Sequence, residues 1–231
     1  MINEQLINPK SIAVVGASNN IHKPGGKLLK NIIDGGFSGG LYPANPKEDE
    51  IQGLKCYKDL LDLPEVDLAI LAIPAKFCID AVKILTAEKG TRAFIVISAG
   101  FGEDSEAGAV LENELIEAVT AAGACLIGPN CIGVINCHHH SVFTSPVPPL
   151  DPNGCDFVSS SGGTAVFIME SAIPKGLRFN SVFSVGNCAQ VGIEEVLEYW
   201  DETYDPEVSP KVKLLYVESI NNPDKLLKHL S

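Results

Sequence analysis

The chain has 231 residues, 45% of them hydrophobic, enough to bury a substantial core in one large or two modest domains. A net charge of −12 and a sequence pI near 4.8 argue against nonspecific binding to nucleic acid or acidic membranes. No run approaches ~20 consecutive apolar residues and the opening MINEQLINPK lacks the apolar core of a signal peptide, so neither a membrane span nor secretion is expected and the reading is cytoplasmic.

Ile12 to Val15 is a short β-branched apolar run, as a strand buried on both faces of a parallel sheet requires. Gly16 follows at once, where a missing Cβ lets a ligand or backbone come close. A polar loop from Ser18 to Pro24 then leads to Leu28, Leu29, Ile32 and Ile33 at helical spacing. Such a βα turn aims N–H groups above the sheet and favours an anion. The dinucleotide fingerprint G-x-G-x-x-G is absent, because Gly16 is followed by Ala17, Ser18, Asn19 and Asn20. That disfavours an NAD(P)-dependent enzyme.

The alternation continues. Gly39 to Pro46 reads as a short strand and turn, and Val66 to Ile73 as a buried strand stopped by Pro74. Helical periodicity runs from Ala75 to Glu88, then a strand from Ala93 to Ile97, with Ser98-Ala-Gly-Phe-Gly102 as its loop. An acidic amphipathic helix from Ser105 to Ala122 and a strand from Cys125 to Ile127 lead to Gly128-Pro-Asn-Cys131. This rhythm predicts a doubly wound parallel sheet over residues 1–136.

Residues 137–154, with three histidines and several prolines, read as a linker. The rhythm restarts with strands at Cys155–Ser159, Asn180–Val185 and Val212–Ser219, and helices toward Ala172, from Ile193 to Trp200 and from Pro223 to Leu230. A sheet of only three strands leaves an exposed edge, so the unit at 155–231 is expected to be incomplete.

Ligands of open parallel sheets sit beyond the carboxyl ends of the strands. Those ends carry Gly16-Ala-Ser18, Asn45-Pro-Lys47, Pro74, Ser98 to Phe101 and Asn130-Cys131, a set rich in small and amide residues with one cation, Lys47. It can wrap an adenine and a pyrophosphate but offers no evident general base. In the second half, Ser159-Ser-Ser-Gly-Gly-Thr164 lies between strand and helix, where hydroxyls and helix-start N–H groups form a phosphate cradle or an ordinary serine cap. Glu218 closes an otherwise apolar strand. The seven cysteines lack paired CxxC spacing and read as reduced thiols; Cys131, Cys137 and His138 to His140 do not meet zinc spacing, so no metal is assigned. Cys131, in an apolar context, is not expected to be a nucleophile.

Together, SIAVVGAS, GGLYPANPK with EIQGLKCY, VDLAILAIPA, IVISAGFGE, LIGPNCIGVIN, VSSSGGTA, SVGNCAQV and LLYVESI run through nearly the whole chain in order. They resemble the CoA-binding, α-type part of the nucleoside-diphosphate-forming acyl-CoA synthetases, and most closely the acetyl-CoA synthetase branch. The resemblance implies a Rossmann-like CoA-binding domain followed by a flavodoxin-like, succinyl-CoA synthetase-like domain. It implies a ligase that converts acyl-CoA, ADP and phosphate to acid, CoA and ATP through a phosphohistidine. Gly16, Ala17, Ser18, Lys47, Pro74 and Ser98, Ala99, Gly100 and Phe101 would contact CoA, with Asn130 and Cys131 near its thiol end. Ser161, Gly162, Gly163 and Thr164 would hold the phosphoryl group beside Gly186 and Asn187, and Glu218 would orient the catalytic histidine. Mg and ADP or ATP would enter only through an ATP-grasp β-type subunit or domain, and an oligomer is expected.

Two departures stand out. Gln190 occupies a position where the family carries an Asp, which alters the electrostatics expected at a helix start. None of the five histidines, His22, His138 to His140 and His229, has the Ser-His-Thr-Gly-like context of the phosphohistidine. The chain alone is therefore expected to be inactive. An alternative of another class remains open here, a noncatalytic CoA-sensing module such as the synthetase-like part of a protein acetyltransferase.

Overall fold

The computed structural model describes residues 2–230 as two five-stranded sheets with a small hairpin beside the first. A short helix, α1 (Glu4–Ile7), precedes the first β-α crossing, β1 (Ser11–Val15) and α2 (Pro24–Asp34). Then come β2 (Gly40–Ala44), the hairpin β3 (Glu50–Ile51) and β4 (Leu54–Lys55), β5 (Leu68–Leu71), α3 (Cys78–Glu88), β6 (Ala93–Val96), α4 (Glu106–Ala121) and β7 (Cys125–Ile127). The first sheet has the order β2-β1-β5-β6-β7 and every pair in it is parallel. Its residues Ile12, Val14, Leu68, Ile70, Phe94 and Ile95 are fully buried, because helices cover both faces. The order reverses between β1 and β5, and all the strand ends named above lie along one edge.

The second sheet corrects two expectations. It is built from β8 (Gly133–Ile135), β9 (His140–Val142), β10 (Leu150–Ser159), β11 (Phe179–Ser184) and β12 (Lys213–Tyr216), in the order β12-β10-β11-β8-β9. Its helices are α5 (Gly162–Ala172), α6 (Ile193–Glu202) and α7 (Pro223–Leu230). Strands β10, β11 and β12 run parallel, while β8 and β9 extend the sheet antiparallel on the β11 side. The sheet thus has five strands where three were expected. The segment read as a linker supplies β9 and the first residues of β10. On the other side β12 remains an edge strand, and its four residues are half-buried.

The histidine run explains why that segment is ordered. His139 is fully buried, with Nδ1 2.7 Å from the Ser141 hydroxyl and Nε2 2.9 Å from the Leu6 carbonyl. A carbonyl only accepts, so Nε2 carries the proton, Nδ1 accepts from Ser141, and the ring is neutral. Burial pushes its pKa down to about 4, against the Leu6 bond, which raises it. The unfolded chain therefore binds a proton that the folded chain does not between the ordinary histidine value and about 4. Stability is expected to be whole above that window and to fall by about 2 kcal/mol from pH 7 to pH 5 through this ring. Urea titrations of the protein and of His139→Gln at both pH values check it. The variant should be weaker at pH 7 but lose this share of the acid dependence.

Candidate functional site

Along the first sheet, backbone bonds tie each strand end to the next. Gly16 N–H donates to Ala44 O, Ala72 N–H to Val15 O, Ile97 N–H to Leu71 O, and Asn130 N–H to Ser98 O. The Ser98 hydroxyl donates to the Ile73 carbonyl, so the loops after β5 and β6 move together. Gly16 has a φ of +87°, and a Cβ there would sit 2.3 Å from the Ala72 carbonyl oxygen. A Cβ on Gly25 would in turn sit 2.1 Å from Gly16 O, so α2 starts in backbone contact with the first turn. The hairpin then holds the loop between them: Gln52, with a φ of 51°, donates from its side chain to Ser18 O and Gly26 O, and Asn19 exchanges bonds with Glu50 and Gln52.

Not every residue expected to meet CoA has its side chain free to do so. Lys47, Pro74 and Ala99 are exposed, and Gly16, Ser18, Ser98 and Gly100 are partly so. Ala17 and Phe101 are fully buried in the core, leaving only their backbone at the edge. The Ala17 carbonyl accepts from the Asn45 amide, which also holds the Lys47 N–H through its Oδ1. Cys131 is buried, its thiol donates to Val96 O, and burial pushes its pKa up to about 12. It is an unreactive core thiol.

The carboxyl end of the second sheet opens on a cleft of about 450 Å³ lined by Asn130, Cys131, Ser161, Gly162, Gly163, Gly186, Asn187 and Glu218. Eight residues assigned from the sequence thus meet in one place. Ser161 is the N-cap of α5 and its hydroxyl accepts the Thr164 N–H. Thr164 thereby serves the helix start and does not line the cleft. A Cβ on Gly163 would meet nothing within 4 Å, so this first turn faces open space. Glu218 is exposed, and its N–H donates to the Ser160 hydroxyl at 3.5 Å.

Two acidic residues, Glu103 and Glu112, were not singled out from the sequence, although Glu103 ends the SAGFGE run. The Asn187 amide donates to both carboxylates, while Asn130 Nδ2 lies 3.3 Å from Asn187 Oδ1. Glu103 also accepts the Gly100 and Phe101 N–H groups, and Glu112 the Gly102 N–H. Burial alone would raise the Glu103 pKa, but the bonds from Asn187, Gly100 and Phe101 outweigh it and hold the carboxyl below its usual range. The loop after β6 and the loop after β11 are therefore clamped together.

Gln190 does not act at the start of α6, whose N-cap is Gly192. Its side chain accepts the Leu126 N–H at 2.8 Å and donates to Ala124 O and Thr120 Oγ1 at 3.3 Å. Asn187 N–H, Ala189 N–H and Val191 N–H donate to Pro129 O, Gly128 O and Leu126 O. Residues 187–191 thus cover the open edge of β7. A carboxylate there lacks the donor that Ala124 O and Thr120 use.

A doubly wound sheet with a glycine-turned edge, abutting a second sheet whose strand ends open on a cleft, makes this an α/β protein whose two sets of strand-end loops meet at Asn130. The family description "CoA binding domain" matches residues 10–136, and "Succinyl-CoA ligase like flavodoxin domain" matches residues 152–231. The chain is 36% identical over 227 residues to an acetate–CoA ligase (ADP-forming) II subunit alpha of Pyrococcus furiosus, covering 97% of this chain and 48% of that protein. It is 38% identical over 226 residues to a trans-feruloyl-CoA synthase from an unknown prokaryotic organism, covering 95% of this chain and 31% of that one. An acetyl-coenzyme A synthetase of Ca. Korarchaeum cryptofilum, solved with phosphate and ADP, superposes with a TM-score of 0.86 at 32% identity, covering 96% of this chain and 46% of that one. The chain belongs to the CoA binding domain family, continued by a succinyl-CoA ligase-like flavodoxin domain, and its relatives include alpha subunits of ADP-forming acetate–CoA ligases. It spans half or less of the length of these relatives. Nothing among them favours a noncatalytic CoA-sensing module. No helix among the described residues is long and apolar enough to cross a membrane.

Proposed function

We propose that the chain is the CoA-binding, α-type part of an ADP-forming acyl-CoA synthetase, interconverting acyl-CoA, ADP and phosphate with a small carboxylic acid, CoA and ATP. The observation that carries this reading is the continuity at Asn130, where the first sheet's ligand edge runs into the cleft under α5. A ligand laid along that edge brings its far end to the anion-type turn of Gly162 and Gly163. The residues fit CoA: an exposed cation at Lys47, close-approach glycines at Gly16 and Gly25, and small or amide groups beyond. CoA supplies the thiol that becomes the acyl thioester.

In this reading the exposed face of the first α5 turn holds a phosphoryl group beside Gly186 and the Asn187 amide. Glu218 orients the catalytic histidine, supplied by a segment this sequence does not contain, and supports its charged state by hydrogen bonding. Mg and ADP or ATP belong to an ATP-grasp partner subunit or domain, and the assembly is an oligomer working in the cytoplasm. CoA handling falls to residues 1–136 and phosphoryl handling to 155–231, whose sheet the segment between them completes with β9 and the start of β10.

Calorimetry should show CoA binding to the 231-residue chain, weakened by about 1–2 kcal/mol in Lys47→Ala through loss of a charge-assisted phosphate bond. Tight NAD binding without CoA binding would sink the proposal. Incubation with radiolabelled ATP and Mg should leave no acid-labile phosphate on the chain alone. Stoichiometric phosphohistidine on His22, His138 to His140 or His229 would place the catalytic centre elsewhere.

A further inference from the structure

At the opposite end of the second sheet from the cleft, β10 at Asp156 and the starts of β11 and β12 border a separate cavity of about 170 Å³. That is about the room of an engineered cavity that takes up benzene. Its floor holds Asp156, Asn180 and Ser181, and its wall is the C-terminal end of α6 with Tyr199, Trp200 and Tyr204.

Asp156 is only 5% exposed, yet no cation lies within ion-pair distance of it among the described residues. Asn180 Nδ2 and Ser181 Oγ donate at 2.8 and 2.6 Å, and both reach the same oxygen, Oδ1. Oδ2 makes no hydrogen bond among the described residues and lines the cavity with its carboxyl group. Burial raises the carboxyl's pKa, against the two donors and a longer-range pull from Lys213. An asparagine would fill the same space without the cost of burying a charge. The helix C-terminus adds partial negative charge, and Tyr199, Trp200 and Tyr204 add aromatic surface to the lining. Lys213 and His138 also line the cavity, and the half-exposed Lys213 opposes a cation from within the sheet.

We propose that this cavity is a binding site for a small organic ammonium compound with a flat apolar body, its charged end on Asp156 Oδ2 and its body against Tyr199, Trp200 and Tyr204. The site is independent of CoA and phosphate, because it sits at the amino ends of strands whose carboxyl ends form the cleft.

The test uses benzylammonium chloride as probe and benzyl alcohol, at matched ionic strength, as its neutral counterpart. Amide chemical shifts of the isotope-labelled 231-residue protein are followed during titration. Benzylammonium should give saturable shifts confined to Asp156, Asn180, Ser181 and Tyr204, and benzyl alcohol should not. Asp156→Asn keeps an acceptor for both donors and should weaken the probe about tenfold or more. Lys213→Met removes the competing cation and should tighten it. Shifts that do not saturate, that benzyl alcohol reproduces, or that Asp156→Asn leaves unchanged would overturn the proposal. Should Asp156→Asn fail to fold, the two probes on the unaltered protein and the Lys213→Met titration decide the matter.

Discussion

Gly186→Ala is expected to cost about 3 kcal/mol or more and to disable the cleft, while Gly163→Ala, at the same cleft, costs nothing in stability. Gly186 has a φ of +57°, and a Cβ would stand 2.1 Å from Pro129 O and 2.7 Å from Asn130 O. Both obstacles are backbone, and they belong to the other sheet's loop, so neither yields by a side-chain rotation. Relief requires the loops to part, which breaks the Asn187 N–H bond to Pro129 O at 3.0 Å and carries Asn130 away from Asn187. At Gly163 the backbone is the first turn of a helix and the space is open, so alanine gains up to about 1 kcal/mol of helix propensity. Its methyl nevertheless occupies the face proposed to receive phosphate. Urea denaturation separates the two variants by stability, and both should lose phosphate affinity.

Asn187→Ala should act through charge. The amide stands between Glu103 and Glu112, donating to each, with Asn130 on its other side. Without it the two carboxylates face each other with no shared donor, and the loop carrying Gly100 and Phe101 loses its tie to the second sheet. The Glu103 pKa, now held down in part by that amide, should rise, and a carboxyl-detected titration reads the shift directly. Glu103 also lines the cleft, so a carboxylate that has lost its amide donor repels an anion there, and the cleft's phosphate affinity should fall about tenfold. An unchanged Glu103 titration would mean that the clamp does not exist in solution.

The parallel strands were readable because each is covered on both faces, and that leaves continuous apolar runs such as the one around Leu68 to Leu71. The glycine turns were readable because backbone geometry at Gly16 and Gly186 admits nothing else. β8 and β9 were not. They have three residues each, and β9 opens on the last of three consecutive histidines that read as a solvated loop. What buries His139 is the carbonyl of Leu6, 133 residues away, and no local pattern encodes that partner. The acidic clamp escaped for the same reason, since Asn187 meets Glu103 across 84 residues of chain. Gln190 stood out as a departure but was placed at the start of α6, whereas its side chain serves the edge of β7.

The placement of β8 bears on how the molecule comes apart. A cut after Asn136 would look clean on paper, since it separates the two family matches. It would carry β8 away with the first fragment and strip β11 of its neighbour, leaving Val182 and Phe183 beside an unpaired backbone. The second fragment would then keep β9 with no strand to hold it. Proteases should accordingly nick the exposed Ser145 or Pro149 region without releasing either half, and heating should melt both sheets in a single transition.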